Sequence, residues 1–88
     1  MQAQKKPVVI DFIEINVNTT PEEIKSWVET FNQKFEDYFD DNGENLKVKT
    51  LEGTSYDIAT SDVIIRGVKG EYYPCKKDIF EETYEIIN

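Results

Sequence analysis

The densest group of ionisable side chains in this 88-residue sequence is Glu36, Asp37, Asp40, Asp41 and Glu44, five carboxylates within nine positions. Three chemistries use such a group: calcium ligation, general acid–base catalysis by a carboxyl pair, and electrostatic docking on a basic surface. A calcium loop needs oxygen ligands at alternate positions before its glycine and a glutamate six residues after it. Here the alternation before Gly43 begins at Tyr38 and the sixth residue after it is Lys49, so the loop is not formed. Carboxyl pairs arise by chance among 18 acidic residues, and a domain this small rarely encloses the cleft that raises one carboxyl pKa. Docking is what remains, set against the simpler reading of a solvated, solubilising helix end.

A second group surrounds a two-glycine turn: Arg66, Lys69, Glu71, Tyr73 and Lys76. Adjacent strand residues point to opposite faces, so either Tyr72 or Tyr73 should reach a surface groove, where basic and tyrosyl groups could receive a nucleotide or another small ligand. Gly67 to Gly70 lacks the spacing of a phosphate-binding P-loop and reads as a hairpin. Trp27, Phe31 and Phe35 could stack on bases, but their helical spacing assigns them to the core. Cys75 stands beside Lys76 and Lys77, which could lower its pKa; with no histidine to act as base it is expected to be a plain thiol, buried or at a strand edge. No catalytic residue is nominated, and the lack of histidine with a single cysteine leaves no zinc set, disulfide framework or histidine-dependent triad. Neither cofactor nor metal is expected.

Charge narrows the partners. Ten basic against 18 acidic residues give a net −8, which repels phosphate backbones and anionic lipid and argues against direct nucleic-acid or membrane binding. The charge is unevenly spread: residues 22–44 carry eight acids and two lysines, net −6, and residues 78–88 carry four acids and no base. Residues 45–77 carry six bases and four acids, net +2. The apolar run from Val8 is broken by Asp11 and Glu14, so it reads as neither signal peptide nor membrane span, and a cytosolic address is expected.

The elements that must position these groups follow from pattern. Val8 to Val17 predicts a central strand partly buried on both faces, with a bulge near Phe12 and Ile13, preceded by a flexible stretch over residues 1–6. Thr20, Pro21 and Glu23 predict a helix start with a capping box. Ile24, Trp27, Val28, Phe31, Phe35, Tyr38 and Phe39 then continue one apolar stripe for about five turns, ending at Gly43 in a left-handed stop. Strands follow at Leu46–Leu51, Thr54–Ala59, Val63–Ile65 and Glu71–Tyr73, with Pro74 ending the last or marking an edge. Asp78 with Glu81 predicts a short capped helix, then an extended tail. The expected fold is a single α+β domain spanning 1–88: one antiparallel sheet of four or five short strands, one long amphipathic helix on one face, and a short C-terminal helix.

From Arg66 to Glu85 the chain reads R-G-V-K-G-E-Y-Y-P-C-K-K-D-I-F-E-E-T-Y-E. This resembles a widespread family of small, mostly uncharacterised phage and prophage proteins, whose C-terminal motif runs G-D-Y-x-I-x-G-V-x-G-E-F-Y-P-C-K-P-D-I-F-E-x-T-Y-E. The opening K-K-P-V-V-I and the central K-V-K-T-L-E-G are similar to that family too, so the likeness touches both ends of the chain. Ser61, Asp62 and Val63 depart from the Gly-Asp-Tyr triplet, and Lys77 stands where proline is usual. The acidic stretch 22–44 lies outside the motifs. The resemblance implies a virus-encoded protein in the cytoplasm of an infected bacterial host, and carries no catalytic residue.

These readings converge on a non-enzymatic binding protein that modulates or inhibits a host protein through its acidic helix end. An antiviral defence component is one such target, and nucleic-acid mimicry one such mode. The alternatives are a small-ligand or nucleotide module on the hairpin 66–77 and a homo-oligomeric, for instance dimeric, virion or assembly component.

Overall fold

Val63, Ile64 and Ile65 are wholly buried, and the rest of the chain is arranged around them. The computed structural model describes residues 1–4, 7–41, 43 and 45–87. Among these the order is β1 (Asp11–Glu14), α1 (Pro21–Glu29), α2 (Phe35–Tyr38), β2 (Phe39–Asp41), β3 (Leu46–Lys49), β4 (Ser55–Asp57), β5 (Asp62–Arg66), β6 (Tyr72–Lys76) and α3 (Lys77–Thr83). The class is α+β with antiparallel pairing, but the strands form two three-stranded sheets, β1-β5-β6 and β2-β3-β4.

Because β5 is central, its alternate side chains feed two cores. Ile64 joins Ile24 and Val28 of α1, Phe35, Phe39, Val48 and Tyr72 in the larger one. Val63 and Ile65 join Phe80 of α3 in the smaller one, flanked by Ile10, Phe12, Tyr73, Cys75 and Tyr84. The first sheet is therefore covered on one face by α3 and on the other by α1, α2 and the second sheet.

The long helix is the main correction. Thr20 caps α1 as expected, its Oγ1 accepting the Glu23 N–H at 3.3 Å, with Pro21 opening the helix. The helix ends at Glu29, and Asn32 adopts φ +59°, a left-handed conformation that turns the chain. Phe35 resumes as the single turn α2, and Phe39 enters a strand. The aromatic stripe still reaches one core, with Phe35 and Phe39 stacked at 5.0 Å and Phe39 tilted against Tyr72 at 5.4 Å, but three elements deliver it. Since Asp40 and Asp41 are strand residues, their hairpin to β3 adds a second sheet where one was expected. Gly43, at φ +88°, lies in that hairpin rather than at a helix end.

Other expectations shift less. β1 is partly buried on both faces, Ile13 toward the larger core and Phe12 toward the smaller, yet it is an edge strand. It runs in unbroken register from Asp11 opposite Arg66 to Glu14 opposite Val63, without the expected bulge. Pro74 does not end β6. It lies inside the strand opposite Ile64, and β6 is the other edge, where a missing N–H costs no ladder bond. Asp78 sits inside the first turn of α3, not at its cap, which is Lys76; the Asp78 Oδ1 accepts the Ile79 N–H at 2.9 Å. The short helix and extended tail are otherwise as expected, with Tyr84 at φ −120°, ψ 148°. Lys5 and Lys6, within the stretch expected to be flexible, and Glu44 lie outside the described residues.

Candidate functional site

Breaking the helix at Asn32 folds α2 and β2 back beside the start of α1. Glu36, Asp40 and Asp41 thereby line one groove of about 460 Å³ together with Glu22. Phe35 and Phe39 form its floor, Lys25 and Lys49 its basic members. The carboxylates are exposed to solvent. Lys49 is directed toward α2, its Nζ donating to the Glu36 carbonyl at 3.3 Å. Asp41 is partly engaged in its own hairpin, its Oδ1 accepting the Gly43 N–H at 3.1 Å. Asp37 is exposed on α2 but does not line the groove. On the outer face of the second sheet, Asp40 stands opposite Lys47 and Lys47 opposite Asp57, with Lys47 Nζ 3.9 Å from Asp57 Oδ1.

The second nominated set does not converge. Arg66 pairs across the sheet with Tyr72 and lies on the larger-core face. Its Nε donates to Gln33 Oε1 at 2.9 Å, its guanidinium sits 4.4 Å over the Phe31 ring, and Nη1 is 3.9 Å from Asp11. Tyr73 points to the opposite face, its hydroxyl 3.4 Å from that of Tyr84. Lys76, at the far end of β6, is 3.5 Å from the buried carboxylate of Asp62. Lys69 is exposed in the turn, where its N–H donates to Glu71 Oε1 at 3.0 Å. The Glu71 carboxylate lies close over Gly67, where a β-carbon would require that side chain to move.

A groove of about 490 Å³ does follow the free edge of β6, lined by Glu71, Tyr73 and Pro74 with Leu51, Glu52 and Tyr56 from the β3–β4 hairpin. Of the nominated residues only Glu71 and Tyr73 reach it. Its ionisable members are carboxylates and phenols rather than cations, which opposes a phosphate ligand.

Burial shapes the titration of the region. The Tyr72 hydroxyl is raised by desolvation against the opposing pull of Arg66. Tyr73 is raised further, by desolvation and then by its bond to Tyr84. Cys75 is also raised, by burial and by the carboxylates of Asp62 and Asp78, opposite to the effect Lys76 and Lys77 could exert. Its thiol is therefore the less nucleophilic form at neutral pH.

Pattern reading missed two members of these arrangements. Glu22, which the sequence marks only as a member of the −6 block, lines the acidic groove. Gln33 links three elements: its Oε1 also accepts the Tyr72 hydroxyl at 2.6 Å, and its Nε2 donates to the Gly70 carbonyl at 2.8 Å and to Tyr38 at 3.1 Å. No local pattern marks a lone glutamine as such a centre. Among the described residues no group of three or more His, Cys, Asp or Glu is placed to hold a metal ion, and no helix is long and apolar enough to cross a membrane. No protein-family model matches the chain, and comparison with curated proteins and with solved structures finds no match.

Proposed function

We propose that this chain is a non-enzymatic, phage-encoded binding protein that docks its acidic groove on a basic surface of a host protein and so modulates or inhibits it. An antiviral defence component is the target we favour, occupied in the manner of the nucleic acid it would otherwise hold. The observation that carries the reading is the gathering of Glu22, Glu36, Asp40 and Asp41 around one groove with an aromatic floor. Carboxylates spread over a long helix would present a stripe; folded back in this way they present a concave patch, in which a partner's lysine or arginine meets several negative charges at once.

The test is capture of a partner from phage-infected host cells, using E36K/D40K/D41K beside an E81K/E82K control. Glu81 and Glu82 are exposed on α3, so the control also makes the chain less acidic while leaving the groove intact. Capture should fall at least about tenfold with the groove variant and persist with the control. Equal loss in both would reduce the effect to net charge, and no loss in either would remove the groove from the account. The small-ligand alternative is weakened by the separation of Arg66 and Lys76 from Tyr73.

A further inference from the structure

We infer that the groove along β6 receives a guanidinium group, the side chain of an arginine presented by a partner protein. Two hydrogen-bonded elements build it. β6 and its turn contribute Glu71, Tyr73 and Pro74, and the β3–β4 hairpin contributes Leu51, Glu52 and Tyr56. The hairpin is fixed by the Thr50 N–H and Oγ1, which donate to the Thr54 carbonyl at 2.9 and 2.8 Å, and by the Gly53 N–H, which donates to the Thr50 carbonyl at 3.0 Å. Tyr56 stands opposite Val48, so its ring lies on the core-facing side of the second sheet, yet it is 45% exposed, and Leu51 is 66% exposed. Both large side chains thus meet solvent at the groove wall instead of joining either core.

The chemistry of the walls selects the ligand. Among the described residues Glu52 and Glu71 are the charged groups that line it, with no lysine or arginine, so a cation is favoured and an anion repelled. Glu71 is half-buried, and its Oε1 accepts the Lys69 N–H at 3.0 Å, which holds the carboxylate in place while further lone pairs remain for a ligand. Strand parity turns the Pro74 carbonyl away from β5, and proline offers no N–H beside it, so this part of the edge accepts hydrogen bonds without donating any. A guanidinium matches that set. Its planar N–H groups bond to carboxylate and carbonyl oxygens, its faces stack on phenol rings, and its alkyl stem suits Leu51 and Pro74. An ammonium is more strongly hydrated, and a quaternary ammonium has no N–H to donate. Free arginine would bring an α-carboxylate between Glu52 and Glu71, whereas an arginine inside a chain brings none. The inference is independent of the acidic groove, whose described lining residues are all different.

Titration of the isotopically labelled whole chain with N-acetyl-arginine amide, followed by amide NMR, tests it. The amides of Leu51, Glu52, Tyr56 and Tyr73 should shift together and saturate with a dissociation constant of about 1 mM or below. N-acetyl-lysine amide should bind at least about fivefold more weakly, and N-acetyl-arginine, which carries the carboxylate, at least about threefold. Y56A, at an exposed ring, and E71Q, which keeps an oxygen for the Lys69 N–H, should retain the wild-type spectrum elsewhere and weaken binding of the arginine amide at least about fivefold. The absence of saturable shifts up to about 20 mM would overturn the inference, as would shifts centred on Glu36 and Asp40, equal affinity for the lysine amide, or an affinity that both substitutions leave unchanged. N-acetyl-arginine binding as tightly as its amide would overturn the assignment to a partner chain.

Discussion

Tyr72 and Tyr73 are neighbours in the chain with separate environments, and the difference follows from strand alternation. Tyr72 is fully buried with its hydroxyl held by Gln33, whereas Tyr73 is half-buried and faces Tyr84. Both hold their protons more tightly folded than unfolded, where the ordinary value is 10.0. A group whose folded pKa is raised contributes stability that is complete below its unfolded pKa and is lost as pH climbs beyond it. Melting temperature should therefore fall progressively from about pH 10 upward, with a shallower fall in Tyr73→Phe, which keeps the ring and removes that titration. A wild type that melts alike on both sides of pH 10 would contradict the assigned burial.

At the scale of elements, the turn at Asn32 decides the architecture. Its left-handed φ of +59° suits asparagine and glycine and opposes β-branched residues. Asn32→Val should cost about 1–2 kcal/mol in urea denaturation, while Asn32→Gly should lie within a few tenths of the wild type. An equally stable valine variant would mean that the turn is not constrained. The same residue shows why the sequence was only partly legible. The start of α1 was readable because Thr20, Pro21 and Glu23 act locally. Strands β3 and β5 were readable because alternation in Leu46–Lys49 and a continuous apolar run in Val63–Ile65 have few other uses. The end of α1 was not, because Phe31, Phe35 and Phe39 keep helical spacing while the chain turns, and an aromatic residue reaches the same core from a helix, a single turn or a strand. The acidic candidates were legible as composition, but the groove they form depends on that turn. The basic hairpin does not converge because strand parity puts Arg66 and Tyr73 on opposite faces, which the residue types alone do not reveal.

Across the whole molecule, which extends 48 × 25 × 24 Å, the acidic groove and a mostly apolar groove are separate surfaces. The acidic groove belongs to α1, α2 and the second sheet, whereas the apolar one belongs to β1 and the tail. Raising sodium chloride from about 50 to about 500 mM should weaken partner capture about tenfold, since exposed charges are screened beyond a few ångströms. Capture that stays level across that range would remove the acidic groove's charge from the account.

The pairing of β1 with β5 also governs the order in which the fold can assemble. Glu14 meets Val63 and Asp11 meets Arg66, partners separated by about 50 residues, whereas β2, β3 and β4 close through successive short hairpins. During synthesis the first strand leaves the ribosome with no mate, and more than half the chain must follow before β5 arrives. The local hairpins can zip on the microsecond scale, but the entropic toll of the long closure makes docking of the N-terminal strand the slow step. For that interval Val8 to Ile15 is the segment most in need of protection from premature aggregation.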